Sequence, residues 1–273
     1  MTADSNICGK RGVIYVVTGG RSYLGELLSS VNSLRKHEPD LPILVFTDFA
    51  IPRRYELECE PLELADNAHK HKVASLRRSP FEETLFLDTD TTIRGSLKPL
   101  FDELKDRDFC AANAHLADYE VRPPVLISMV MEGEYNTGVL LFRKSEATCR
   151  FLERWETAVR AHDAADMWAG HFGDQYFFNN LLQNENVFEE CGLRWGIVSN
   201  LRWNCRSIAK KAVVSEGRWS DVHILHQRTK GMKFRKLLFA ITDSSTLRVL
   251  FGKAFRQAKK AVSVNDRTKA EPS

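Results

Sequence analysis

Two carboxylates one residue apart, Asp88 and Asp90, follow directly on the apolar run Thr84-Leu85-Phe86-Leu87. Such a run reads as a buried strand, and in α/β sheets the carboxyl ends of strands are the usual ligand edge. At that position both aspartates can turn toward one divalent cation, for which oxygen ligands suit Mn²⁺ or Mg²⁺. The pair has two other readings: Asp88 as a nucleophile with Asp90 as acid or base, or a solvated loop pair with no chemistry. Two further groups place polar side chains where elements begin. Asn136-Thr137-Gly138 introduces the apolar Val139-Leu140-Leu141-Phe142, and Gly173-Asp174-Gln175 opens a helical pattern, Tyr176 to Leu182.

The elements that must position these residues alternate. Val13-Ile14-Tyr15-Val16-Val17 reads as a strand that reaches Thr18-Gly19-Gly20 and passes into a helix, with Leu24, Leu27, Leu28, Val31 and Leu34 at helical spacing. Ile43-Leu44-Val45-Phe46 ends at Thr47-Asp48, and Thr84 to Leu87 ends at Asp88-Thr89-Asp90. Strands alternating with helices predict a parallel α/β sheet, and all three strand ends carry polar residues. Ser145 predicts the start of a helix through Phe151, Leu152 and Trp155, while Asp174 is placed to cap the helix after it. A late apolar segment, His223-Ile224-Leu225-His226, follows short stretches rich in Gly, Asn and Trp. No repeat or linker interrupts the chain before residue 235, so one catalytic-sized domain is the simplest division.

Two partial likenesses compete for these motifs. Val17-Thr18-Gly19-Gly20-Arg21-Ser22-Tyr23-Leu24-Gly25 resembles the dinucleotide fingerprint of Rossmann dehydrogenases, with Asp48 near the place of a ribose-binding acid. Ser22 stands where that fingerprint needs glycine, and no Tyr-x-x-x-Lys pair exists for short-chain dehydrogenase chemistry. Asp88-Thr89-Asp90-Thr91-Thr92 resembles the phosphatase signature of the haloacid dehalogenase superfamily. That motif normally follows the first strand, whereas here it follows two strand–helix units, with no acidic pair downstream to hold Mg²⁺.

A third likeness takes in more of the chain. The stretch Lys72 to Phe101, with Ser79-Pro80-Phe81-Glu82-Glu83-Thr84-Leu85-Phe86-Leu87-Asp88-Thr89-Asp90 and then Leu97-Lys98-Pro99-Leu100-Phe101, resembles the donor-site region of bacterial nucleotide-diphospho-sugar transferases and is similar to glycosyltransferase family 8. Tyr135-Asn136-Thr137-Gly138 and the strand after it are similar to that family's Asn-x-Gly strand, and Gly173-Asp174-Gln175 followed by Asn179 to its Asp-Gln helix start. Order and spacing agree over about residues 12 to 235. The family's Asp-Gln-Asp has Tyr176 at its third position here. Its His-x-x-Gly-x-x-Lys-Pro-Trp segment is reduced to His226-Gln227-Arg228-Thr229-Lys230-Gly231-Met232-Lys233.

The resemblance implies an α/β chain with a GT-A, Rossmann-like fold: a mixed, mostly parallel sheet flanked by helices. It implies a hexosyltransferase-like enzyme, in which a metal-dependent reaction moves a sugar from a nucleotide-diphospho-sugar, UDP-sugar favoured, to a glycan, lipid-linked or other hydroxyl acceptor with retention of configuration. Asp88 and Asp90 would hold Mn²⁺ or Mg²⁺, with His226 as third ligand. Thr18, Gly19, Tyr23 and Asp48 would contact base and ribose, Thr89 and Gly138 would line the donor site, and Lys72 would face the diphosphate. Lys230 or Lys233 would add a second positive charge. Asn136 and Asp174 would bond sugar hydroxyls, with Gln175 beside the anomeric carbon. An inactive sugar-nucleotide binding module is the alternative that keeps the fold without the chemistry.

Composition agrees with a soluble globular chain. Of 273 residues, 43% are hydrophobic and 27% charged, which excludes disordered, collagen-like and disulfide-scaffold classes. Six scattered cysteines form no C-x-x-C pair, so reduced thiols are expected. No apolar run approaches the roughly 20 residues of a membrane span, and the opening ten residues lack the apolar stretch of a secretory signal, which makes the cytoplasm the expected location.

A net charge of +3 gives no reason to expect nucleic acid as a partner. Its distribution is uneven, since Lys230 to Lys260 holds nine Lys or Arg against Asp243 alone. Along 236–262, Leu247, Leu250, Phe251, Ala254, Phe255, Ala258, Ala261 and Val262 fall within an arc of about 140° on a helix, opposite Arg248, Lys253, Arg256, Lys259 and Lys260. That basic amphipathic helix fits an anionic membrane surface, on the inner face of a membrane, and equally fits packing on its own domain. The expected divisions are a GT-A catalytic domain over 1–235, the helical segment 236–262, and a flexible tail 263–273.

Overall fold

A computed structural model of the chain describes residues 10–18, 21–62, 68–114, 134–162, 173–184 and 186–226. The chain divides into two units, Met1–Arg228 and Thr229–Ser273. The second lies outside the described residues, and with it the stretch 236–262, the tail 263–273, Lys230 and Lys233.

Within the first unit, strands β1 (Arg11–Val17), β2 (Ile43–Thr47), β3 (Glu58–Pro61), β4 (Glu83–Leu87), β6 (Phe109–Asn113), β7 (Tyr135–Arg143) and β8 (Trp195–Val198) form one sheet in the order β3-β2-β1-β4-β7-β6-β8. The first four strands in that order run parallel. β7 is antiparallel to both β4 and β6, and β8 is parallel to β6. The sheet is therefore mixed and mostly parallel, flanked by helices, as the sequence predicts. A second sheet of three short strands, in the order β5-β10-β9, joins β5 (Thr91–Ile93), β10 (Ile224–His226) and β9 (Cys205–Arg206).

The central strands read as unbroken apolar runs because both of their faces are covered. Ile14, Leu44, Phe46, Phe86, Leu140 and Phe142 face helices α2 (Ala68–Arg77), α4 (Glu146–Arg160) and α5 (Gly173–Asn184), through Val73, Leu76, Phe151, Leu152, Trp155, Phe177 and Phe178. The alternate residues Val13, Tyr15, Val45 and Leu85 are fully buried in their turn. Helix α1 (Leu24–Arg35) buries Leu24, Leu27, Val31 and Leu34, the spacing seen in the sequence. Ser145 is the N-cap of α4, its hydroxyl accepting from the Thr148 amide at 3.1 Å. Among the described residues the other short α-helices are α3 (Lys98–Phe101), α6 (Val187–Cys191), α7 (Asn200–Trp203) and α8 (Lys210–Ser215). Cys59, Cys110, Cys149, Cys191 and Cys205 are free thiols.

One ion pair fastens the far edge of the sheet. Asp108, just before β6, accepts from the backbone amide and the guanidinium of Arg194, just before β8, at 2.7–3.1 Å. These hydrogen bonds from Arg194 hold the Asp108 carboxyl below the usual carboxylate range, against the opposing effect of burial. A depressed acid contributes stability above its unfolded pKa, about 3.9 for aspartate, and that contribution vanishes as pH falls through the folded value. Asp108→Asn is therefore expected to lower the urea midpoint at pH 6, with the gap to wild type closing below about pH 4. A gap independent of pH would show that the charge plays no part.

Candidate active site

The carboxyl edge of the large sheet collects the residues singled out in the sequence. Asp88 extends β4 by one rung, its amide donating to the Gly138 carbonyl at 2.8 Å, next to the Leu87–Val139 pair. The chain then turns tightly, since both the amide and the hydroxyl of Thr91 donate to the Asp88 carbonyl, at 3.2 and 2.8 Å. A buried chain of hydroxyls braces this turn from below: Tyr15 to Ser30 at 2.9 Å, and Ser30 to Thr91 at 2.9 Å. Burial pushes the Tyr15 phenol far above its usual range, so it stays a neutral hydroxyl. Thr89 donates to Glu26, a buried residue of the first turn of α1.

After the turn, β5 leaves the large sheet and pairs with β10, with Thr91 opposite His226. This pairing carries a histidine from late in the chain back to the aspartates. His226 Nε2 lies 3.2 Å from Asp90 Oδ1 and 3.8 Å from Asp88 Oδ2. Ligand atoms of Asp88, Asp90 and His226 all lie within 4.8 Å of one another. Gly138 makes the room for this meeting. A Cβ there would stand 2.2 Å from His226 Cε1 and 2.8 Å from Asp88 Oδ2, distances no side chain tolerates.

Charge balance gives the cluster its chemistry. Burial holds the Asp88 carboxyl above the usual range in spite of Lys72 and His226. At Asp90 burial acts the same way, but the His226 hydrogen bond and charge outweigh it and the carboxyl lies below the usual range. His226 Nδ1 is bonded to Asn204 Oδ1 at 2.8 Å, which leaves Nε2 facing two carboxylates. Acceptors do not face one another without a cation between them, whether a proton on Nε2 or a metal ion. Two carboxylates and an imidazole whose ligand atoms lie within 4.8 Å of one another are a donor set suited to Mn²⁺ or Mg²⁺.

Lys72, on α2, is buried between Asp174 at 2.9 Å and Asp88 at 3.4 Å, and donates to the Thr137 hydroxyl at 3.3 Å. Burial would lower its pKa, yet the two carboxylates outweigh burial and hold the ammonium above its ordinary value. Thr137 also donates to Asp174 at 2.7 Å. The expected N-cap role of Asp174 does not hold. Helix α5 begins at Gly173, so Asp174 lies in its first turn, and its carboxylate is drawn sideways to Lys72 because a buried acid needs a cation. The indole of Trp155 donates to the Asp174 carbonyl at 3.0 Å. Asn179 fixes the same helix to β7, accepting from the Tyr135 amide at 2.7 Å and donating to its carbonyl at 2.9 Å.

Asn136 faces inward and meets Gln175, its Nδ2 donating to Gln175 Oε1 at 2.9 Å. Thr18 and Asp48 lie at the ends of β1 and β2, on the same carboxyl edge as Asp88, and Tyr23 is 40% exposed at the start of α1. Gly19 is outside the described residues. Sequence reasoning missed Glu26, Thr137 and Asn204. Thr137 lies inside the Asn136-x-Gly138 motif and was legible by position, whereas Glu26 and Asn204 carry no local signal.

The fold is that of GT-A glycosyltransferases. Among solved structures, the glycosyltransferase GlyE from Streptococcus pneumoniae TIGR4 is similar with TM-score 0.54 and 15% identity, covering 90% of this chain and 64% of that one. A glycosyltransferase involved in glycosylation of the major capsid of PBCV-1 gives TM-score 0.51 at 13% identity, over 85% of this chain and 100% of that one. The bifunctional glycosyltransferase WbbM gives 0.51 at 10% identity, over 82% and 46%. This chain thus spans less than two thirds of the GlyE structure's length. No curated protein matches it in sequence. Residues 83–236, more than half of the chain, match the nucleotide-diphospho-sugar transferase family, and the chain belongs to that family.

The crowding at Gly138 is directly testable. Gly138→Ala is expected to fold, because the added methyl meets His226 and Asp88 rather than the apolar core, and to drive the imidazole off the aspartates. A crystal structure of the variant with Nε2 still 3.2 Å from Asp90 Oδ1 would refute the account.

Proposed function

We propose that this chain transfers a sugar from a nucleotide-diphospho-sugar to a hydroxyl acceptor, with Asp88, Asp90 and His226 holding a divalent ion. The observation that carries the reading is the convergence of these three residues at the ligand edge of a nucleotide-diphospho-sugar transferase fold. Bound Mn²⁺ or Mg²⁺ would neutralise charge developing on the departing diphosphate. The chain's own residues bind and orient. Thr18, Gly19, Tyr23 and Asp48 receive base and ribose, with Thr89 and Gly138 beside the diphosphate and Lys230 or Lys233 adding positive charge. Lys72, held between Asp174 and Asp88, faces the diphosphate. Asp174, Gln175 and Asn136 face the sugar.

The finer readings rest on the sequence likeness to glycosyltransferase family 8. They are a UDP-sugar donor, retention of the anomeric configuration, and a glycan or lipid-linked acceptor. Thermal shifts with UDP, GDP and NAD, each with and without Mn²⁺, test the donor class, because a ligand of the native state raises apparent stability. A UDP shift dependent on Mn²⁺ is expected. Asp88→Asn and Asp90→Asn should each lower turnover roughly 100-fold or more with the fold retained, and NMR of the first-formed glycoside should show the donor's anomer. Full turnover in both variants, insensitive to chelator, would overturn the metal reading. An inverted anomer would overturn retention alone.

We further propose that residues 236–262 attach this enzyme to an anionic membrane surface, from the alignment of Lys and Arg opposite an apolar arc. In the described residues no helix is long and apolar enough to cross a membrane. Full-length protein should sediment with anionic vesicles at low salt and a chain ending at Gly231 should not. Equal recovery of both in the supernatant would favour a helix packed on its own domain.

A further inference from the structure

The imidazole of His226 is useful to a cation only if Nε2 is the bare nitrogen, and its own strand does not settle which nitrogen carries the proton. The answer comes from a group with no choice of role. The Gly138 backbone N–H can only donate, and it donates to Asn136 Oδ1 at 2.9 Å. That assigns the two ends of the Asn136 amide. Its oxygen also accepts from Asn204 Nδ2 at 2.8 Å, and its nitrogen donates to Gln175 Oε1 at 2.9 Å. With Asn204 Nδ2 committed as donor, Asn204 Oδ1 is the acceptor that meets His226 Nδ1 at 2.8 Å, so Nδ1 carries the proton.

We propose that Asn204, through Asn136, is a positioning residue that fixes His226 with Nδ1 protonated and Nε2 turned to Asp88 and Asp90. The consequence for metal binding rests on the reading of the previous subsection; the protonation itself does not. The same polarity reaches the other end of the chain, where Gln175 must present its amide nitrogen away from Asn136. One backbone amide thereby fixes which ends of Asn136, Asn204 and Gln175 donate and accept, and with them the proton on His226 Nδ1.

Local structure explains how Asn204 reaches this place. It ends α7 with φ −155° and ψ 48°, leaves the helix, and is fully buried where the chain enters β9. Beside it, β9 pairs with β10 so that Arg206 and His226 are partners. Asn204, immediately before β9, is therefore held beside His226 on β10, and the side-chain bond between them spans 2.8 Å. A metal-bound histidine commonly gives its other ring N–H to such a partner, and loss of the partner typically weakens metal affinity 10- to 100-fold.

The test reads the proton directly. In full-length protein with isotope-labelled histidine, proton–nitrogen correlation NMR should show a slowly exchanging proton on His226 Nδ1, assigned by its absence in His226→Gln. It should persist with and without Mg²⁺. Asn204→Ala is expected to lose that signal and to bind Mn²⁺ about 10- to 100-fold more weakly by electron paramagnetic resonance. Asn204→Asp, which can still accept from Nδ1, should retain it. An Asn204→Ala protein that melts cooperatively yet keeps both the signal and wild-type Mn²⁺ affinity overturns the proposal, as does a wild type whose Nδ1 is bare. Wild type that shows the proton but binds no metal supports the proposal and overturns only the metal reading.

Discussion

Three carboxylates brought together away from bulk water must be balanced by positive charge, and this constraint organises the whole carboxyl edge. Asp174 is nearly buried, with a side chain 7% exposed, and Asp88 and Asp90 are partly so. Lys72 is shared between Asp174 and Asp88, and His226 Nε2 faces Asp88 and Asp90, where a proton or a metal ion would supply the second positive charge. Isolated buried charges cost several kcal/mol apiece, so neither the acids nor the lysine would persist alone. The arrangement depends on four separate segments, α2, the β4 end, α5 and β10, arriving together. A fault in any one of them unbalances the rest.

Backbone geometry arranges that arrival. The β6–β7 ladder shifts register between Ala111 and Ala112, so that Ala111 faces Leu140 while Ala112 faces Asn136. Thr137 to Val139 are thus released from β6 while Val139 stays paired with β4. An irregularity of this kind re-aims side chains. Here it places Asn136 and Thr137 beside α5 while Gly138 passes under the imidazole. The aromatic cluster around Phe109, Phe151, Trp155 and Phe178 stands behind it, and its one polar atom directed at the site, the Trp155 indole nitrogen, bonds the start of α5.

Much of this was legible in the sequence because local patterns carried it. The runs at 13–17, 43–46 and 84–87, the Ser145 cap and the strand after Asn136 all gave elements near their observed bounds. Asp88 and Asp90 stood out because they follow directly on an apolar strand, at the edge where ligands usually bind. The short strands β3, β5, β8 and β9 left no trace, as pieces of two to four residues have no periodicity to detect. Asn204 and Glu26 were invisible for a different reason: their roles exist only through contacts distant in sequence, 22 and 68 residues for Asn204 and 63 for Glu26. The mistaken cap at Asp174 arose because local helix-start preference was judged without the lysine that claims its carboxylate.

The site straddles two bodies of unequal strength. Its aspartates hang from a seven-stranded sheet with a large apolar core, whereas its histidine rides on strands of two and three residues packed over Leu201, Val213, Val222 and Leu225. Regions with few ladder bonds and small cores open at lower free energy than the structure around them. Warming would therefore loosen the histidine's three-stranded sheet before the seven-stranded one gives way.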